Sequence, residues 1–354
     1  MSVSPFDHPF LSGLVGDQEI GACFSAEADV AEMLAFERAL AKAEAEEGLI
    51  PPEAAQAIEA ALAAFDPDVA RLRDGATRDG VVVPELVKQL RAAVGEPHGK
   101  HVHFGATSQD VADTSLALRL RHVTRLLAAR LEILVDALDV LEARDGAIEV
   151  MAHTRMQAAI PVPASRKIAS WRDPLQRHWS RMKEIEDDLA VLTFGGAAGT
   201  LEKLGDKADA AAQRLAEKLG LRALPRPRHS ERDDIVEFAS LLSLVSGSLG
   251  KMGQDIALLA QSELGEIKLA SGGGSSAMPH KVNPVGAEVL VALARFNATL
   301  VAGMHHALVH ENERSGAAWT LEWMILPQMA VAAGAGLSTA LSLVEGMEFT
   351  RRGS

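Results

Sequence analysis

One segment, residues 271–284, gathers side chains that could perform chemistry at fixed spacing. Three consecutive glycines precede the pair Ser275 and Ser276, and Lys281 and Asn283 follow between two prolines. Glycine lets the backbone adopt positive φ and move, while hydroxyl, ammonium and amide groups bind and polarise a ligand. A flexible linker needs neither fixed spacing nor prolines. We therefore interpret residues 271–284, the glycine-rich loop, as part of an active site.

A second group of small polar residues stands between residues 101 and 114. Thr107 or Ser108 can present a hydroxyl there, and the backbone N–H groups at a helix N-terminus suit a carboxylate. An ordinary N-cap before a helix would have the same composition. This segment alone leaves both interpretations open.

The elements that must position these groups are long helices. Helix-forming residues abound, aromatic residues make up 4% and tyrosine is absent, which favours an all-α protein. Long amphipathic runs cover residues 116–141, 171–192, 235–264 and 288–309. Rods approaching 40 Å cannot be covered on all sides by one chain, so we expect a helix bundle shared between subunits.

The first hundred residues predict a small N-terminal helical domain. Ser25 can cap a helix that stops at Gly48, and Pro51 and Pro52 can open the next. We place this domain at residues 1–105 and a central bundle at residues 106–350.

Charge and composition limit the partners and the compartment. A formal charge of −13 argues against nucleic acid, and the apolar stretch 325–344 contains proline and polar residues that favour a packed helix over a membrane span. Cys23 is the only cysteine, and the N-terminus lacks the pattern of a signal peptide. We expect a cytoplasmic enzyme.

The motifs together resemble the fumarase/aspartase superfamily, whose enzymes break a C–N or C–O bond β to a carboxylate. The resemblance covers about residues 100–330 and includes Gly-x-Thr-Ser-x-Asp-x-x-Asp-Thr from Gly105, the segment 153–161 and the glycine-rich loop. It implies an all-α, elongated bundle assembled as a homotetramer, with each active site built from three subunits. The chain ends about seventy residues after the loop, so we expect the small C-terminal domain to be largely absent.

The resemblance also assigns roles to single residues. Ser275 is the expected catalytic base, with Ser276 as the fallback, and Lys281 would stabilise its alkoxide. Glu288 matches the glutamate that partners the catalytic histidine of most members. The residues expected to bind substrate are Thr107, Ser108, His103, His153, Thr154, Arg155, Gln157, Ser276, Met278, Asn283, Arg232 and Arg314.

One departure from the family pattern is informative, because Arg155 stands where most members have that histidine. A leaving amine or hydroxide needs a general acid, whereas a carboxylate has a pKa near 4 and leaves without one. A permanent guanidinium is suited to holding a carboxylate. Members lacking the histidine include the bacterial 3-carboxy-cis,cis-muconate cycloisomerases, which implies a small tricarboxylate substrate.

Two alternatives remain open in the sequence. The first is another lyase of the superfamily, acting on adenylosuccinate or argininosuccinate, although Trp323 stands where purine-nucleotide lyases usually have an arginine. The second is a catalytically idle structural member. His306 and His310 lie four apart near two glutamates, but no full metal-ligand set follows and the family reaction uses no metal or cofactor.

Overall fold

The computed structural model describes residues 3–270, 272–274, 278 and 281–350. Short 3-10 helices cover Gly99–His101 and Glu202–Lys207. The α-helices of the described residues are α1 (Ser12–Val15), α2 (Gln18–Ala22), α3 (Ala26–Glu46), α4 (Pro52–Leu62), α5 (Val69–Asp79), α6 (Val83–Val94), α7 (Ser108–Asp145), α8 (Ala164–Leu189), α9 (Ala208–Leu219), α10 (Asp233–Leu259), α11 (Val285–Ala307) and α12 (Ala317–Glu345).

Little strand accompanies these helices, so the predicted all-α class is confirmed. The described strands form three antiparallel pairs, β1 with β2, β3 with β6 and β4 with β5. Their bounds are β1 (Glu149–Thr154), β2 (Gln157–Pro163), β3 (Ile267–Leu269), β4 (Gly273–Gly274), β5 (Val282–Asn283) and β6 (Met347–Phe349).

The N-terminal helices pack around their own apolar core. Ser25 caps α3 as predicted, since its side chain accepts a hydrogen bond from Ala28 N, and α4 begins at Pro52. Residues of α9 share this core with α3, although the hydrogen bond from Lys218 to Glu46 that joins the two helices spans 172 residues of sequence. The predicted boundary at residue 105 divides the chain at a single point and so assigns α9 to the central bundle. We propose instead that α9 belongs to the N-terminal domain.

Five long helices, α7, α8, α10, α11 and α12, form the central bundle. Its apolar core runs the length of α7 and α10 and extends into α12. Helices α10 and α11 approach each other closely at Gly253, where a Cβ would lie 2.6 Å from Ala287 O, so only glycine fits. The predicted amphipathic runs are confirmed within two to seven residues at each end, apart from the start of α7, which lies eight residues earlier than predicted.

Three central helices are long and apolar enough to cross a membrane by length and composition alone. The most apolar 18-residue segment of each helix is 61% buried in α10, 67% buried in α12 and 28% buried in α11. The stretch 325–344 therefore lies in the packed helix α12, as the sequence indicated, whereas much of α11 is uncovered in the single chain.

Glu44 is an unusual charge in the N-terminal core. Its side chain on α3 is fully buried, and neither carboxylate oxygen has a hydrogen-bond partner. Burial, with the nearby charge of Glu37, raises the pKa of Glu44 from 4.5 to about 9. The carboxyl is therefore neutral at physiological pH.

This raised pKa predicts a pH-dependent stability difference for Glu44→Gln. The folded protein holds the proton more tightly than the unfolded chain does, so the stabilising contribution is complete below about pH 4.5 and is lost as the pH rises towards 9. Relative to wild type, Glu44→Gln should gain unfolding free energy between pH 5.5 and 8, by at most about 1.4 kcal/mol per pH unit. Denaturant unfolding at the two pH values measures it.

Glu44→Leu provides the matched variant, because leucine also carries no titrating proton. Its unfolding free energy relative to wild type should change with pH in the same way, even if altered packing shifts every value by a constant amount. A difference from wild type that does not change with pH in either variant would contradict a neutral, buried Glu44.

Candidate active site

The start of α7 is anchored by Asp110, which is completely buried. Its carboxylate accepts hydrogen bonds from Thr107 N, Gly195 N and Gly196 N, each at 2.9 Å, and lies 2.7 Å from His229 Nε2. These contacts hold the glycine turn after α8 against the helix N-terminus. The predicted N-cap interpretation is therefore correct, and it does not exclude a carboxylate site, because the hydroxyls of Thr107 and Ser108 remain only half-buried.

Arg314 lies beside this helix start. Its Nε donates to Gln109 Oε1 at 2.9 Å, and its Nη1 lies 3.4 Å from Thr107 Oγ1. The residue itself is exposed, so the guanidinium can also meet a ligand from solvent. Thr107, Ser108 and Arg314, three predicted substrate-binding residues, are thus brought together as a positively polarised group, here called the α7 site.

Arg232 lies beneath the α7 site rather than at the surface. It makes paired hydrogen bonds with Asp113, at 2.7 and 3.3 Å, and with Glu322, at 2.9 and 2.6 Å. Trp319 Nε1 donates to Asp113 at 3.0 Å, and His310 Nε2 lies 3.3 Å from Glu322 Oε1. This cluster joins α7, α10 and α12. The direct contact with substrate expected for Arg232 stays a prediction.

The electrostatics of this cluster favour the ionised forms. Burial acts to lower the pKa of Arg232, but Asp113 and Glu322 outweigh it and the pKa is raised. Burial acts to raise the pKa of Glu322, and His310 and Arg232 more than offset it, so that pKa is lowered. The ion pair is therefore maintained throughout the physiological pH range.

Arg155 occupies the tip of a hairpin made by β1 and β2. Arg155 (φ 49°) and Met156 (φ 66°) are both left-handed, in the two-residue turn of a hairpin that usually takes asparagine and glycine. A left-handed conformation costs a residue with a side chain about 1 kcal/mol or more. His153, Thr154 and Gln157 share the exposed tip. Strain at an exposed polar turn is typical of a functional site.

The glycine-rich loop is described only in part. Ser275 and Ser276, the predicted base and its fallback, lie outside the described residues. Glycine gives residues 272–274 the freedom to adopt positive φ, and neither Gly273 nor Gly274 uses it. A Cβ on Gly272 would lie 2.7 Å from Asn283 O, and one on Gly273 would lie 2.6 Å from Val285 Cγ2. Glycine is required by close approach in the β4–β5 pair.

The other residues of this loop lie near the start of α11. Lys281 N donates to Met278 O at 3.0 Å, and Lys281 and Met278 are exposed. Glu288 is exposed in the first turn of α11. No ion pair within 4 Å joins Glu288 to Arg155 or His153 in the single chain, and all three are described residues.

These groups do not converge within one chain. The α7 site contains Arg314, beyond the C-terminal end of α11, whereas Lys281 and Asn283 precede its first residue. α11 has 23 residues and is therefore about 35 Å long. The hairpin lies against residues 258–264 at the end of α10, whose other end begins beside Arg232. One chain thus supplies site fragments at opposite ends of the bundle.

Several contributing residues carried weak sequence signals. His229 binds Asp110 across 119 residues of sequence, and Glu37 contacts His103 across 66. The sequence gives one local indication of the Glu37 contact. Glu37 stands within the apolar repeat of α3 whose members Met33, Phe36 and Leu40 are buried. Among the side chains that the structure describes, no group of three or more histidine, cysteine, aspartate or glutamate residues could hold a metal ion.

The Arg232 cluster predicts a large stability cost for Arg232→Gln. Removing the guanidinium leaves the buried Asp113 without a counter-charge and Glu322 with His310 as its remaining partner, which costs about 3–5 kcal/mol of unfolding free energy. Arg226→Gln is the control, because that side chain is 81% exposed and lies 3.9 Å from Glu231. It should change stability by no more than about 0.5 kcal/mol. Equal denaturation midpoints for the two variants would contradict the role given to the cluster.

The fold and these polar groups define an enzyme of the helical-bundle lyase class. A family model described as Lyase matches residues 17–297. The chain therefore belongs to this lyase family, the fumarase/aspartase superfamily indicated by the motifs.

Individual proteins of this family are similar to the chain over most of its length. The chain is 43% identical over 335 residues to 3-carboxy-cis,cis-muconate cycloisomerase of Pseudomonas aeruginosa, covering 92% of this chain and 72% of that protein. The structure of 3-carboxy-cis,cis-muconate lactonizing enzyme from Pseudomonas putida superimposes with a TM-score of 0.91 at 40% identity, covering 97% and 78%. A fumarate lyase from Mesorhizobium sp. BNC1 gives 0.88 at 35% identity, covering 94% and 76%.

Proposed function

We propose that this chain is a cycloisomerase that converts 3-carboxy-cis,cis-muconate to 4-carboxymuconolactone in the protocatechuate (β-ketoadipate) branch of aromatic compound catabolism. The observation that carries the proposal is Arg155, presented on a strained, exposed hairpin at the position of the family's usual acid histidine. The relative named as a cycloisomerase at 43% identity and the solved structure named as a lactonizing enzyme at 40% identity support it.

The reaction needs no general acid at the attacking group. One substrate carboxylate oxygen bonds to an alkene carbon, and the electrons of that double bond move onto the neighbouring carbon, which is α to a second carboxylate. That carbon then takes a proton, giving the lactone. In reverse, the ring oxygen leaves as a carboxylate, which is stable at neutral pH without protonation. A guanidinium at residue 155 holds this carboxylate by paired hydrogen bonds.

The carbon-bound proton is assigned to the glycine-rich loop. Ser275 would deliver it in the forward direction and remove it in reverse, with Ser276 as the alternative. A serine hydroxyl acts as a base only when its alkoxide is stabilised, which is the role proposed for Lys281. Lys281 and Asn283 would also stabilise the negative charge that develops on the α-carboxylate.

The α7 site is proposed to hold another of the three substrate carboxylates. Thr107 and Ser108 offer hydroxyls at the positive end of a 38-residue helix, and Arg314 adds a full charge within 3.4 Å of Thr107. Trp323 packs on Trp319 with ring centroids 4.6 Å apart, and an indole gives a phosphate no counter-charge. A tricarboxylate therefore fits better than a nucleotide substrate.

A homotetramer with shared active sites is proposed from the separation of the site fragments. The exposed apolar residues Leu244, Val309 and Met324, with the little-buried α11, offer surface for neighbouring subunits. Antiparallel packing of bundles would bring the α11 start of one chain to the α7 site of another. We place the assembly in the cytoplasm, and we expect it to need no metal, cofactor, nucleic acid or membrane.

Shared sites predict complementation between Lys281→Ala and Arg314→Ala. Each variant alone should be nearly inactive, because each lacks one charge at every site. When subunits are mixed and reassembled, about a quarter of the sites should receive both intact residues, since each site draws them from different chains. Lactone formation by the reassembled mixture measures this recovery.

Reassembly of either variant with itself is the control and should restore nothing. If the mixed assembly also remained inactive while wild-type subunits survived the same treatment, the sites would be contained within one chain.

Arg155 gives the sharpest test of the proposed reaction. Arg155→Lys should lose the paired contact, and Arg155→Ala should cost more, about 2–5 kcal/mol in transition-state stabilisation. The measurement is kcat/KM for loss of the conjugated diene of 3-carboxymuconate. Gln157→Ala, on the same exposed tip, is the comparison variant and should cost less, because it removes no charge.

Adenylosuccinate and argininosuccinate serve as competing substrates. Wild type should leave both uncleaved while forming the lactone. Efficient cleavage of either compound, without lactone formation, would contradict the cycloisomerase proposal and identify the protein as an amine-releasing lyase. Absence of all three activities in an assembled protein would favour an idle structural member.

A further inference from the structure

The hairpin that carries Arg155 has almost no core of its own. Val150 is 3% exposed and belongs to the core of the bundle, but none of residues 151–163 is buried. The strand pairing is also irregular, because the register shifts just beyond Met151, and Pro161 opposite it has no N–H to donate. Neither packing nor strand pairing therefore determines where the tip of the hairpin lies.

A buried carboxyl group contacts the hairpin at this irregular point. Glu266, in the connection between α10 and β3, is 1% exposed, and its Oε1 accepts a hydrogen bond from Met151 N at 2.8 Å. The backbone of Glu266 is itself held on both sides. Its N–H donates to Leu259 O, and its carbonyl accepts from Thr350 N, each at 3.0 Å. Because α10 and the residue after β6 hold this backbone, the side chain offers β1 an acceptor at a fixed position.

The other oxygen of the same carboxyl group gains nothing from its burial. Glu266 Oε2 is buried and has no hydrogen-bond partner among the described residues. Burying a half-satisfied carboxyl group costs free energy, and an apolar side chain of similar size would stabilise this core more. A side chain that destabilises the core and makes one contact indicates that the contact itself is needed. The contact lies directly before β3, which leads into the glycine-rich loop.

We propose that Glu266 is a positioning residue that holds the Arg155 hairpin, through the Met151 amide, at a fixed place relative to the start of the glycine-rich loop. The inference rests on the proposed function, in which Arg155 must orient the attacking carboxylate. Without this acceptor the hairpin would pivot near Val150, and the guanidinium at its tip would move. A displacement of about 1 Å at a group that orients a substrate can lower a rate by about a hundredfold.

Truncation of Glu266 tests this role in catalysis. Glu266→Ala should lower kcat for lactone formation by about ten- to a hundredfold. KM should change little, because the other substrate carboxylates are still bound. Glu266→Gln should retain most of the activity, since its amide oxygen can still accept from Met151 N. If Glu266→Ala does not fold, Glu266→Asp replaces it, because the shorter side chain withdraws the acceptor.

Asp145→Ala is the matched control for lost stability. Asp145 is 6% exposed and accepts from Phe349 N at 2.9 Å, so it too is a buried carboxyl group that binds one strand amide. Its side chain is also paired with Arg144, and the hairpin is not among its partners. Asp145→Ala should therefore leave kcat close to that of wild type. An equal loss of kcat in Asp145→Ala and Glu266→Ala would reduce Glu266 to a general stabiliser and overturn the proposal.

A double-mutant cycle with Arg155→Ala asks whether Glu266 acts through this arginine. Once the guanidinium is absent, its position no longer matters, so adding Glu266→Ala should cause little further loss of kcat/KM. A loss by the same factor with and without Arg155 would show that Glu266 acts independently of the hairpin tip and would contradict the proposal.

Amide hydrogen exchange measures the contact without any substrate. The Met151 amide should be protected in wild type, Glu266→Gln and Asp145→Ala, and should exchange rapidly in Glu266→Ala. Unchanged protection of Met151 in Glu266→Ala would overturn the proposal. A wild-type protein that protects Met151 but forms no lactone would instead overturn the proposed function, while the anchoring of the hairpin by Glu266 would be supported.

Discussion

The buried contact between Arg232, Asp113 and Glu322 is the interaction on which the rest of the site depends. It joins α7, α10 and α12 at the end of the bundle where α7 begins. Gln109 extends the network, because it donates to Asp113 at 3.0 Å and accepts from Arg314. The surface guanidinium of Arg314 is thus linked through one side chain, Gln109, to the buried ion pair. The bundle buries one positive and two negative charges on three helices. These charges specify one alignment of the helices, since sliding one helix along another would leave a charge unpaired.

Helix length imposes a second constraint. A rod of 27 or 23 residues cannot bring its two ends together, so polar loops that follow α10 and α11 lie far from those that precede them. The long helices hold each fragment of the site in a fixed position, but the fragments of one chain stay apart. In the proposed homotetramer, assembly of several chains would be a condition for catalysis as well as for covering apolar surface. The partly uncovered α11, which carries the glycine-rich loop at its start, connects these two requirements.

The sequence predicts best those features that depend on local pattern. Ser25, Gly48 and Pro52 mark helix ends through capping and backbone restriction, and the apolar repeat of α10 indicates a long buried helix. The β1–β2 hairpin was not anticipated. Its turn contains neither glycine nor asparagine, and its strands are largely exposed, so neither turn chemistry nor alternation indicated it.

Side-chain partners in the site were less predictable, for a different reason. The motif around Thr107 and Ser108 identifies the helix start, but its anchoring depends on Asp110 meeting His229 and the glycine turn, which come from distant segments. Arg232 illustrates the limit. Its residue type and position in a family motif favour substrate binding, whereas burial decides that its four observed hydrogen bonds go to carboxylates of the same chain. No local pattern carries that information.

The treatment of buried carboxyl groups shows how an acidic chain can still bind an acidic ligand. Asp113 and Glu322 share one guanidinium, Asp110 is satisfied largely by backbone N–H groups, and Glu44 is uncharged. These four buried carboxyls are thus paired, solvated by the backbone or protonated, which limits the repulsion that an incoming carboxylate would meet. Arg314 is then free to act at short range, where a local cation outweighs the screened charge of the whole surface. Local neutralisation, rather than net charge, therefore determines which ligands this site can hold.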